Sequence, residues 1–125
     1  MELLSRQKRI LVLDNGGRML PVVDEIMDHG DFDVHTIYDA EMICDKAKLI
    51  HPDLIILDYL LLNNDCQLVC HDLREELELK NIPVIVVSAY RNKRVTSDAY
   101  KCDALFVKPM DMGLLASHID YLMAS

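Results

Sequence analysis

The chain has 125 residues, 51% of them hydrophobic and 27% charged, with 21 acidic against 13 basic side chains and a net charge of −8 at pH 7. That length and balance predict one globular domain able to bury a core without metal or disulfide staples. The acidic surplus argues against direct nucleic-acid contact, which needs a basic face, and no apolar stretch approaches the roughly 20 residues of a membrane span.

The N-terminus, MELLSRQKRI, lacks the apolar core of a signal peptide. Four cysteines, Cys44, Cys66, Cys70 and Cys102, form no CxxC pair, so reduced thiols in a cytoplasmic protein are expected. Cys66, Cys70 and His71 are close in sequence, but position 71 falls on a different helical face from 66 and 70, which argues against a metal site. The short basic cluster Arg91, Lys93 and Arg94 reads as a solvated helix start.

Taken in order, the elements alternate strand and helix. Lys8 to Asp14 reads as a strand that is nearly all apolar, hence covered on both faces. Asn15-Gly16-Gly17 is a turn, and no phosphate-cradling GxGxxG or GK[ST] pattern follows it. A helix is predicted over 18–29, with Pro21 tolerated only in its first turn, Val22, Val23, Ile26 and Met27 as its apolar stripe, and Gly30 as its C-cap. Phe32 to Ile37 alternates as a strand near a sheet edge. Asp39 caps a helix over 40–50 whose apolar positions are Ile43, Ala47 and Ile50. The run Leu54-Ile55-Ile56-Leu57 is a buried strand ending at Asp58. Asn64 or Asp65 caps a helix reaching about Leu79, with Leu68, Leu73 and Leu77 on its apolar side. Val84-Ile85-Val86-Val87 is a strand ending at Ser88. A polar helix over 93–101, a strand over 104–107 and a helix over 113–123, carrying Leu114, Leu115, Ile119 and Leu122, complete the chain. Five strands and five helices in strict alternation imply an α/β fold, a doubly wound parallel sheet with helices on both faces.

Chemistry-bearing residues fall at the strand ends. Asp14, Asp58 and Ser88 each close an apolar run, and Lys108 follows Leu105-Phe106-Val107. The C-terminal ends of parallel strands line the crevice where open α/β sheets bind ligands. Two acids, a hydroxyl and a lysine gathered there look like a phosphoryl-accepting site.

The segments RILVLDN, HPDLIILDYLL, NIPVIVVSA and ALFVKPM, in that order and spacing, resemble the receiver domain of two-component response regulators over about 8–123. The resemblance implies the flavodoxin-like strand order 2-1-3-4-5. One receiver-like domain over 1–125 is expected, with no output domain in view, either freestanding or part of a longer protein. Asp58 then matches the aspartate that takes a phosphoryl group from a histidine kinase or phosphotransfer protein. Ser88 matches the hydroxyl that hydrogen-bonds a phosphoryl oxygen, and Lys108 the cation that pairs with its charge. Pro109 matches a proline whose preceding peptide bond is usually cis. Asp14, Asn15, Asp58 and the backbone carbonyl of Leu60 match the magnesium site. The product is an aspartyl phosphate, formed mostly by positioning and charge neutralisation, so the chain is a signalling protein and not an enzyme in the ordinary sense. Its implied partners are the phosphodonor and a downstream output protein or domain. A homodimer would use the face made by the helix of 93–101, the fifth strand and the last helix.

The departures from the pattern carry expectations of their own. Asn15 stands where the family usually has a second acid, so magnesium should bind weakly. Two carboxylates about 4 Å apart repel by about 4 kcal/mol at an effective dielectric near 20, so the metal-free fold should gain stability from that amide. Leu62 and Cys66 replace a usual proline and glycine, leaving an apolar loop over Tyr59 to Leu62. Leu105 replaces the switch aromatic, and Met110 a frequent phenylalanine. Leu60 and Tyr90 occupy the two positions that govern water access to the aspartyl phosphate in the family. Both are bulky, so hydrolysis should be slow. A second reading follows from these departures: a pseudo-receiver that binds partners without phosphorylation. A phosphohydrolase is disfavoured because Leu60 fills the place of its general acid, and a flavin carrier because the turn after the first strand lacks a Ser/Thr-rich phosphate loop.

Overall fold

The computed structural model describes residues 7–14, 16–17, 19–58, 66–88, 102–107 and 112–123. Strand β1 (Arg9–Leu13) leads to helix α1 (Leu20–His29), then β2 (Asp33–Ile37), a 3-10 turn (Ala40–Met42), α2 (Ile43–Ile50), β3 (Leu54–Asp58), α3 (Cys66–Glu75), β4 (Val84–Ser88), β5 (Ala104–Val107) and α4 (Met112–Met123). All strand pairs are parallel, in the order β2-β1-β3-β4-β5. This is the flavodoxin-like order expected from the sequence. The helix expected over 93–101 and the caps Asn64 and Asp65 lie outside the described residues.

Strict alternation along each strand divides the interior into two layers. Ile10, Val12, Leu54, Ile56, Ile85 and Val87 face α1 and α4. Leu11, Leu13, Ile55, Leu57, Val84 and Val86 face α2 and α3. The apolar runs of β1, β3 and β4 are buried throughout because helices cover both faces of the sheet. At the edge, β2 is half-buried along its whole length, as its mixed pattern foretold.

Local chemistry fixes the ends. Gly16 and Gly17 have φ of 69° and 82°, a left-handed turn that side chains rarely adopt. Asp39 accepts a hydrogen bond from the Glu41 amide at 3.0 Å and so starts the turn into α2. Gly30 is the C-cap of α1, as expected, its amide donating to the Ile26 carbonyl at 3.2 Å, though not in the left-handed conformation. Its backbone is extended, and a Cβ there would lie 2.8 Å from Cε2 of Phe32, so a larger residue would have to displace that ring. The left-handed cap belongs instead to His51, at the end of α2, with φ of 51°. Below the sheet, Arg74 ties α3 to its following loop through the carbonyls of Lys80 and Ile82, at 2.9 and 3.0 Å. It also reaches Asp103 at 2.8 Å, whose carboxylate accepts the Val84 amide at 2.7 Å.

Helix α3 corrects the predicted stripe. Leu68 is 57% exposed and Leu77 is more so, whereas Cys66, Val69, Cys70 and Leu73 point inward. Their i, i+3, i+4, i+7 spacing was legible, but two cysteines acting as small hydrophobes concealed it. The helix also stops at Glu75, four residues before Leu79, which is buried in the following turn. Leu114 likewise lies outward on α4, while Leu115, Ile119 and Met123 fill the core. His71 is exposed and shares no face with Cys66 and Cys70. Burial, with neighbouring acids contributing, raises the Cys44 thiol above its ordinary value, and burial pushes Cys102 up to about 11. Both are therefore poor nucleophiles near neutral pH. No helix among the described residues is long and apolar enough to cross a membrane.

The corrected stripe makes a direct prediction. Leu73→Ala should lower unfolding free energy by about 2–5 kcal/mol, whereas Leu68→Ala should change it by less than about 0.5 kcal/mol. Urea denaturation of the two variants checks this; equal losses would restore Leu68 to the core.

Candidate functional site

The site begins with strand register. Ile10 to Leu13 pair with Leu54 to Leu57, so Asp14 and Asp58 are the next residues on adjacent strands, which run about 4.8 Å apart. Asp58 is level with Val87 of β4, which places Ser88 one residue farther toward the same end of the sheet. Asp14 and Ser88 have no exposed surface and Asp58 has 4%. Three of the residues singled out in the sequence therefore meet at the C-terminal ends of β1, β3 and β4. Between β1 and β3 the chain reverses its direction of progress across the sheet, the switch point at which this class of fold binds ligands.

Asp14 is held once through its backbone and once through its carboxylate. Its backbone amide donates to the Ile37 carbonyl at 2.9 Å, which joins the end of β1 to the end of β2. Its Oδ1 accepts the Met19 amide at 3.0 Å, just before the first turn of α1. No side chain caps α1, so the aspartate supplies the negative charge that a helix start favours. Oδ2 of Asp14 is buried and has no hydrogen-bond partner among the described residues. A buried carboxylate oxygen in that state, beside a second buried carboxylate, fits a hard cation, which prefers oxygen ligands. The Met19 amide and the Ile37 carbonyl were not foreseeable, because backbone groups leave no mark in residue type.

Asn15, Leu60, Tyr90, Lys108, Pro109 and Met110 lie outside the described residues, as does the apolar loop over Tyr59 to Leu62. Leu105 is half-buried against the α2/α3 layer, while its neighbours Ala104 and Phe106 face the other layer.

A family model described as the response regulator receiver domain matches residues 10–120. The chain belongs to that family. Among curated relatives, this receiver is 27% identical over 113 residues to the response regulator ArlR of Staphylococcus aureus, covering 89% of this chain and 50% of that protein. The chain thus spans about half the length of the curated relatives it matches. Among solved structures, it is similar to the signal receiver domain of a signal transduction histidine kinase from Syntrophus aciditrophicus, at 25% identity and a TM-score of 0.82, with 94% and 90% of the two chains covered. It also shares its fold with the receiver domain of a sensor histidine kinase from Pseudomonas aeruginosa, at 16% identity and a TM-score of 0.81, with 96% and 100% covered. That structure carries a magnesium ion in its active-site cleft.

Crowding of two buried carboxylates predicts a stability cost when no cation is supplied. In metal-free buffer, Asp14→Asn and Asp58→Asn should each raise the unfolding free energy, by about 1–3 kcal/mol. Urea titrations in chelator check it, and a loss of stability in both variants would contradict the crowding.

Proposed function

We propose that this receiver accepts a phosphoryl group on Asp58 from a histidine kinase or phosphotransfer protein and thereby switches a protein-binding surface. The observation that carries the reading is the near-complete burial of Asp58 at the end of β3, beside buried Asp14 and Ser88. A carboxylate kept there has little use as a surface charge and is placed for ligand chemistry at the switch point.

On this reading an Asp58 carboxylate oxygen attacks phosphorus, the phosphorus–nitrogen bond of the donor phosphohistidine breaks, and the imidazole keeps the electron pair. Ser88 hydrogen-bonds a phosphoryl oxygen, and Lys108 supplies fixed positive charge. A magnesium ion held by Asp14, Asp58, the Asn15 amide and the Leu60 carbonyl would neutralise charge, bound weakly because Asn15 is uncharged. Phosphorylation then biases the face made by residues 93–101, β5 and α4, where a second copy or an output partner would bind. The compartment is the cytoplasm, and the output lies with another protein or domain.

Intact mass after incubation with magnesium and a small-molecule phosphodonor tests the acceptor. A gain of one phosphoryl group that Asp58→Asn abolishes is expected. No gain across a wide magnesium range would favour the pseudo-receiver, which binds partners without phosphate. Leu60→Asn should shorten the lifetime of the phosphorylated form severalfold, because an amide admits and orients water where a leucine does not; unchanged decay followed by mass would contradict that role.

A further inference from the structure

Beside the sheet edge lies a cavity of about 490 Å³, on the side of α2 turned away from α3. It runs from the end of β2 across α2, and its walls include Ile37, Tyr38, Met42 and Leu49. Three of these are large apolar side chains left open to water: Tyr38 at 68%, Met42 at 51% and Leu49 at 74% exposure. Clustered exposure of this kind marks binding surfaces more often than scattered single residues do. The volume is within the range of pockets that hold a side chain or small ligand.

Charge narrows the occupant. Asp39 and Asp45 line the cavity against the single cation Lys46, in a chain of net charge −8. Asp39 is held in place because it caps the Glu41 amide. An exposed aromatic ring beside two carboxylates suits a guanidinium, which stacks on the ring face and pairs with carboxylate oxygens. Lys48, the other cation of α2, is turned away and paired with Glu76, just past the end of α3, at 2.6 Å.

We propose that this groove docks a basic, apolar segment of a partner protein, an arginine flanked by aliphatic side chains. The arginine lies on Tyr38 between Asp39 and Asp45, and its aliphatic neighbours cover Met42 and Leu49. The groove also touches the site described above: the carbonyl of Ile37, in its wall, accepts the Asp14 amide. Docking therefore bears on the position of Asp14. The proposal stands independently of phosphorylation at Asp58.

The test uses the whole chain, isotope-labelled, and two synthetic peptides as probes: acetyl-Leu-Arg-Leu-Leu-Arg-amide and its counterpart with glutamate in place of arginine. The basic peptide should give saturable NMR shifts concentrated over residues 36–49 and extending to the Asp14 amide. The acidic peptide should bind about tenfold more weakly, as should the basic peptide to Asp45→Lys, an exposed position where the fold tolerates change. Added salt should weaken the basic peptide. Absence of shifts, equal binding of both peptides, shifts dispersed over other faces, or self-association of the chain through these residues would each overturn the proposal. Tyr38→Ala gives a second check, since it should weaken the basic peptide without altering the spectrum elsewhere.

Discussion

Burial of two carboxylates on neighbouring strand ends is the constraint around which the rest of the structure is arranged. An ionised group in a low-dielectric interior needs hydrogen bonds or a counter-charge, and two of them side by side also repel. The fold meets part of this demand with backbone. Asp14 takes the Met19 amide at the start of α1, and its own amide is tied to Ile37 at the end of β2. The second oxygen of Asp14 is left without a hydrogen-bond partner among the described residues, which is the chemistry a hard cation would satisfy. An apolar core below and a polar cleft above are thus two consequences of one sheet whose strands all run the same way.

That arrangement also explains why the chain tolerates departures in its loops. The sheet is built from runs buried on both faces, with Arg74 and Asp103 locking its far end. Stability resides in those layers. Asp14, Asp58 and Ser88 sit at the other end of those strands, so the cleft is set by residues that close the core rather than build it.

Much of this was legible in the sequence, for physical reasons that differ by element. Unbroken apolar runs with a polar residue at the end gave β1, β3 and β4 and located Asp14, Asp58 and Ser88, because parallel strands covered by helices admit no alternation. The edge position of β2 followed from its mixed pattern. Helix α3 was misjudged because leucine is the stronger hydrophobe by composition, while cysteine packs inward as readily once its spacing fits. Gly30 caps α1 as its place after the apolar stripe suggested, whereas its extended backbone against the Phe32 ring left no mark in residue type. Strand order came from the family resemblance, since periodicity does not say which strands are neighbours. The groove beside Tyr38 was not visible at all, for it depends on how α2 leans on the sheet edge.

Asp14 and Asp58 are proposed to form one cation-dependent centre. Calorimetric titration of magnesium into the metal-free chain at neutral pH, beside Asp14→Asn and Asp58→Asn, tests it most directly. A weak, saturable, single-site heat is expected for the native chain, and either substitution should abolish it. Binding that persists unchanged in both variants, or no heat in the native chain at any magnesium concentration, would contradict it.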